Sequence, residues 1–350
     1  MKKERIEWID IAKLLGMIGV FFIHFGPQIG RLYGFAFVGQ VQLFFFISGI
    51  FAVNLEQLTF KGAVKKRFEQ IIIPYVFFVI ITMILIVLTA DTGFPALLIY
   101  LKQFIWGIRN QTYAAALWFF SCLFCMSVLF EVLRRLLRHK GLLLLATIGL
   151  YILSIRVFPN RPDAQPSWIF NIDSACYYLI YYTFGYLSIP LLQKKVNDTK
   201  SNKIVSLVGI AVLACYAVLV YMGKDLEVAA NTVYRILPFA NEIYLVVRTL
   251  LIILFNLVLA RLLAGFGKLA HAGAQTLWLC GNEFVVKQIF SAAAGILGLE
   301  ITITSTLAAF IYAIAMVVFV LKVLMPIEMK FYRQYIDCIG LICPALHKEI

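Results

Sequence analysis

The segment Glu4-Arg-Ile-Glu-Trp-Ile-Asp10-Ile-Ala-Lys13-Leu-Leu-Gly-Met-Ile-Gly-Val-Phe-Phe-Ile-His24-Phe25 begins with charge and then runs apolar for the length of a membrane helix. Lys13 and His24 interrupt it. At about 100° per residue, the step between them closes almost three turns, so both fall on one helical face roughly 16 Å apart along the axis. Asp10 lies near that face, one turn before Lys13. Ionisable groups facing hydrocarbon are costly, so this stripe is expected to face protein or water. It is the first candidate for chemistry, and His24 is the only one of the four histidines that falls inside an apolar run. That makes His24 the candidate general base.

The rest of the chain repeats the pattern. With 62% hydrophobic residues, 14% charged residues and a mean hydropathy of +0.91, an ordinary soluble globule is excluded. Runs long enough to cross a bilayer, about 17–25 residues each, recur near 11–28, 37–55, 71–90, 114–134, 141–158, 174–192, 204–222, 243–264, 275–297 and 303–325. The expected fold is therefore an all-α integral membrane protein, a polytopic bundle of about ten transmembrane helices. One membrane domain over 1–330 and a short cytoplasmic tail over 331–350 account for the whole chain.

The formal net charge of +13 would suggest nucleic acid in a soluble protein, but its distribution points elsewhere. Most basic residues fall in alternate loops: Lys2, Lys3 and Arg5; Lys61, Lys65, Lys66 and Arg67; Arg134, Arg135, Arg138 and Lys140; and Lys194 to Lys203. The intervening loops hold few, among them Arg109, Arg161 and Arg235. By the positive-inside rule both termini are expected to be cytoplasmic and the protein multi-pass in the plasma membrane. No nucleic-acid motif, phosphate-cradling glycine loop or paired metal ligands are found, and neither a metal nor a cofactor is expected. The seven cysteines lie mostly in apolar runs and read as small apolar fillers.

Other candidates follow from residue type. The basic run Lys65-Lys66-Arg67 before Pro74, read as the start of the next helix, suits either anionic lipid or a phosphate-bearing ligand. Ser48-Gly49 in the second span permits close approach of a helix or ligand. Leu117-Trp118-Phe-Phe sits at a span's outer end, as interfacial aromatics do. Tyr177, Tyr178 and Tyr181 present aromatic faces and hydroxyls suited to a sugar-like acceptor, and Arg235 lies in another outer loop. Glu283 and Lys287, four apart with Glu first, are spaced for an ion pair.

Taken together, Asp10-x-x-Lys13 with His24 after ten further residues, Phe45-Phe-Ile-Ser48-Gly49, the basic loop ending at Arg67, Pro74-Tyr75 and Leu117-Trp-Phe-Phe120 resemble the membrane-bound acyltransferase-3 family. The resemblance covers the entire chain. It implies a ten-helix bundle that takes an acyl group, usually acetyl, from cytoplasmic acyl-CoA and delivers it to a hydroxyl of a cell-surface or lipid-linked carbohydrate. The analogy carries over the family's basic residue and histidine of the first helix to Lys13 and His24 and its loop arginine to Arg67. With it, His24 is read as the general base or transient acyl carrier; residue type and position add Asp10, Lys65, Lys66, Ser48 and Trp118 to the donor side and Tyr177, Tyr178, Tyr181 and Arg235 to the acceptor side. Two positions depart from the family pattern: Gln70 stands where a second arginine is common, and Thr276 to Glu283 lacks a late histidine, leaving Glu283 as its nearest substitute. A secondary transporter or flippase, with His24, Glu283 and Lys287 forming an intramembrane path, is the alternative reading.

Overall fold

In the computed structural model, residues 6–30, 33, 39–89, 94–111, 114–194, 199–221, 240–299 and 301–342 are described. Every regular element among them is helical: α1 (Glu7–Ile23), α2 (Gln40–Ile50), α3 (Phe60–Arg67), α4 (Ile73–Thr89), α5 (Phe94–Trp106), α6 (Trp118–Leu136), α7 (Lys140–Arg156), α8 (Ile172–Lys194), α9 (Thr199–Tyr221), α10 (Ala240–Leu262), α11 (Gly267–Gly273), α12 (Thr276–Gly281), α13 (Glu283–Ile296), α14 (Thr306–Phe319) and α15 (Met325–Ile342). Among the described residues, three helical runs are long and apolar enough to cross a membrane: Phe60–Thr89, Glu242–Leu262 and Thr306–Gly340.

Two of these long runs depend on a wider turn. Proline inside a helix lacks its N–H and its ring collides with the carbonyl four residues back. For Pro74 that carbonyl belongs to Gln70, and for Pro326 to Lys322. Both positions fall within π turns, Phe68–Ile72 and Val320–Leu324. The extra residue in the turn makes room for the ring, and the helix continues through it. Pro74 is therefore an interior residue of a 30-residue helical run, where the sequence suggested a helix start. Likewise the helix passes through position 330 to Ile342, across the expected edge of the tail. The span expected at 275–297 is divided at Asn282 into α12 and α13.

The chain forms two compact units, one from residues 1–47, 188–276 and 300–317, the other from 48–187, 277–299 and 318–350. In the first, α1 packs against α10 and α11. Gly273 lets α11 rest on the Asp10 carbonyl, where a side chain would collide. Gly16 meets the side chains of Leu43 and Phe44, the Arg261 guanidinium lies 4.7 Å above the Trp8 ring, and the Thr306 hydroxyl donates to the Ile29 carbonyl at 2.6 Å.

The second unit is held by aromatics. Phe77, Phe78, Trp278, Tyr332 and Tyr335 form one edge-to-face cluster that joins α4, α12 and α15. Tyr182 packs on Phe130 at 4.8 Å, while its backbone carbonyl abuts Gly49.

Lipid tails are as apolar as leucine, so helices in a bilayer associate by close packing and polar contacts instead of by exclusion from water. The glycines at these contacts supply the closeness. The outward faces carry the complementary signal: Val76, Ile80, Ile84 and Val87 form an exposed stripe at helical spacing on α4, and Leu307, Ile311, Ile314 and Val318 form another around α14. Apolar stripes of this kind suit hydrocarbon, and they would be a liability in water.

Gly49→Ala is expected to destabilise by about 1–3 kcal/mol, because the new methyl would land on the Tyr182 carbonyl. Gly149→Ala, inside α7 with nothing within 4 Å, should stabilise by up to about 1 kcal/mol, since alanine is the better helix former. Thermal unfolding of the two variants in detergent checks this; equal melting temperatures would remove Gly49 from the packing argument.

Candidate functional site

The first unit holds the residues of α1. Asp10 is buried and Lys13 half-buried; the Lys13 Nζ donates to Asp10 Oδ1 at 3.1 Å, an i,i+3 ion pair. A carboxylate beside the ammonium offsets the cost of drawing it into the bundle. His24 is placed differently from the sequence expectation. α1 ends at Ile23 and His24 is its C-cap, exposed, with φ −70° and ψ −6°. The apolar run does not end there, but Gly26 takes φ +73° and Pro27 follows, a pair that stops a helix. The cap remains right-handed, so the step from Lys13 still returns His24 to about the same side of the axis. His24 thus stands at the open end of α1 and is not enclosed in a span.

The second unit holds the basic run of α3. Arg67, half-buried, donates from Nη2 to the Tyr182 hydroxyl at 3.1 Å, while its buried Nε has no acceptor. Lys65 lies 3.7 Å from Glu69, and Lys66 is partly exposed. Ser48 is partly exposed next to Gly49, which is buried. Glu283 is buried and paired with Lys287. Its neighbour Asn282 donates to the buried Glu328 carboxylate at 2.6 Å, which ties the break between α12 and α13 to α15. No motif marked Glu328, which lies beyond the expected last span.

Trp118 and the tyrosines of α8 are brought together by a residue the sequence marked only as a loop charge. Arg109 lies 4.7 Å from the Trp118 ring and donates to the Tyr178 hydroxyl at 3.3 Å, the Pro162 carbonyl at 2.8 Å and the Asp163 carbonyl at 2.6 Å. Its backbone N–H donates to Asn171 Oδ1 at 2.8 Å. Asn171, buried and left-handed at φ +53°, also donates to the Gly107 carbonyl and to Ser121 Oγ. Asp173, in the first turn of α8, accepts from the backbone N–H groups of Ser167 and Ser174.

The proposed acceptor tyrosines do not form an open aromatic face. Tyr177, Tyr178 and Tyr181 are 5%, 4% and 1% exposed, with Tyr177 against Tyr151 and Tyr178 against Trp118. They are core residues of the second unit, because α8 is packed on all sides along this stretch. Arg235 lies outside the described residues.

Described residues whose regular elements are all helical, with bilayer-length apolar helices, outward apolar stripes and partnered charges within them, define a membrane protein. Residues 6–325 match the family model for the acyltransferase-3 "Acyltransferase domain", and the chain belongs to that family of membrane acyltransferases. Comparison with curated proteins and with solved structures gives no match.

Arg109→Lys keeps the charge but loses the fork that reaches several acceptors at once. Amide exchange at Ser167 and Trp168 should then rise about tenfold or more, as expected for the loss of 1.5–3 kcal/mol of charged hydrogen bonding. Arg161→Gln removes only an exposed pair, in which hydrogen bonding to Asp163 raises the guanidinium pKa, and should leave exchange nearly unchanged. Equal protection in both variants would dismiss Arg109 as the clamp of this loop.

Proposed function

We propose that this acyltransferase moves an acyl group, acetyl by family resemblance, from cytoplasmic acyl-CoA to a hydroxyl of a cell-surface or lipid-linked carbohydrate. It would work from the plasma membrane as a multi-pass protein of about ten crossings with both termini cytoplasmic. The observation that carries the reading is the Asp10–Lys13 pair on the helix capped by His24, in a chain that matches its family over residues 6–325.

A thioester is already activated, so the protein has to position the acceptor, remove its proton and stabilise the oxyanion. In the reaction the acceptor oxygen attacks the thioester carbonyl carbon while the His24 imidazole takes the hydroxyl proton. The carbon–sulfur bond then breaks and the imidazolium returns that proton to the departing thiolate, leaving an ester and free CoA. Exposure of His24 at the end of α1 suits it to meet two substrates. Lys13, held by Asp10, supplies charge to the donor, and Lys65, Lys66 and Arg67 supply more. The unmatched Nε of Arg67 supports that role. Ser48 and Trp118 remain on the donor side of this reading, and Glu283 is the candidate to stand in for a late-helix histidine.

Purified protein in proteoliposomes with labelled acetyl-CoA and cell-wall carbohydrate is the test. Wild type should release CoA and label the carbohydrate, and His24→Ala should lower turnover by about 10²–10⁴-fold, the usual contribution of a general base. Lys13→Ala should mainly raise the KM for the donor. Full turnover in His24→Ala would remove its role. Wild type that consumes no acyl-CoA with any acceptor would reject the donor assignment.

A further inference from the structure

A separate feature of the second unit is a cleft of about 470 Å³ at the junction of α6 and α7, lined by Glu56, Arg134, Arg135, Arg138, Lys140 and Tyr186, with Leu137 and Leu143. Its inner wall is committed. Arg134 and Arg135 both bind the buried Glu131 carboxylate, at 2.7 and 2.6 Å. Arg135 also donates to the Leu58 carbonyl at 2.6 Å, which ties this wall to the segment before α3. The Tyr186 hydroxyl donates to Glu56 at 2.6 Å, and the Lys140 ammonium lies 5.8 Å from the Tyr186 ring.

Four cations therefore face two carboxylates. Glu131 is shared by two arginines, and Glu56 accepts from a tyrosine. The excess positive charge resides on Arg138 and Lys140, both exposed at the mouth. An arginine presents a planar fork matched to phosphate oxygens, and a lysine adds a mobile point charge. The same wall packs toward the basic run, since Arg67 and Glu131 lie with Leu55 and Ser127 around one closed crevice too small for a water molecule.

We infer that this cleft binds a phosphate group through Arg138 and Lys140, against the wall formed by Arg134, Arg135 and Tyr186. Its source is either the ribose phosphate of the acyl-CoA donor, which rests on the acyltransferase reading above, or the headgroup of an anionic phospholipid. The two sources share the chemistry and differ in what they attach it to.

The full chain and its Arg138→Gln/Lys140→Gln variant are compared in nanodiscs. Both substituted side chains are exposed, and unchanged melting temperatures would verify folding. One arm measures binding of CoA and of 3′-dephospho-CoA in phosphatidylcholine discs. Wild type is expected to prefer CoA by about tenfold, roughly 1.4 kcal/mol, and the variant to bind the two alike. The other arm measures phosphatidylglycerol retained by the protein from mixed discs. A loss of retention in the variant, with no CoA preference in wild type, assigns the phosphate to lipid and rejects the nucleotide source. Wild type that binds no CoA while the lipid arm responds counts against the acyl-CoA reading and leaves the cleft's role standing. A variant that matches wild type in both arms overturns the inference.

Discussion

A cation withdrawn from water into apolar surroundings costs several kcal/mol unless a partner is built beside it, and this constraint arranges the charged residues of both units. Lys13 has Asp10, Lys287 has Glu283, and Arg134 and Arg135 share Glu131. Arg109 is held without a carboxylate, by two carbonyls, a hydroxyl and an aromatic face, with its buried Nε left without an acceptor. Arg261 lies over Trp8. In each case the partner belongs to the same helix within four residues or is delivered by a neighbouring element. The choice decides whether the cation merely sits in its helix or ties two segments together.

That distinction also explains what could be read from the amino-acid sequence. Pairs three or four residues apart were legible, because helical geometry alone brings Asp10 to Lys13 and Glu283 to Lys287. The Arg109 clamp was not, since its hydrogen-bond partners lie more than fifty residues away and two of them are backbone carbonyls, which every residue carries. His24 looked enclosed because the apolar run passes through it, yet the Gly26-Pro27 pair ends the helix at that point. Tyrosines give no sign of which helical faces will be covered, so Tyr177, Tyr178 and Tyr181 read as an open face for an acceptor and are core. Proline misled in the opposite direction. Pro74 suggested a helix start, whereas a π turn before it carries the helix onward, as another does before Pro326.

Within the second unit, α6 is 19 residues long, about 28 Å of helix, and its two ends are built for different tasks. Beyond its N-terminal end, Arg109, Asn171 and Asp173 close the 107–111 and 161–174 segments with side-chain-to-backbone hydrogen bonds. Almost every donor there is spent on the protein itself. Such an end is rigid and chemically quiet, which suits a frame.

The opposite end departs from the rule that cations are matched. Glu131 holds both arginines of its own helix and offsets one of their two charges, and the chain continues directly into Arg138 and Lys140 at the open side of a cleft. If topology alone required positive charge at this end, basic side chains scattered over the loop surface would serve equally well. A buried carboxylate that orients two of the arginines, and a tyrosine held in place by Glu56, are more structure than a topology signal requires. They give the cleft a fixed wall, and a fixed wall behind two cations with no carboxylate beside them can distinguish one anion from another, which diffuse positive charge cannot do.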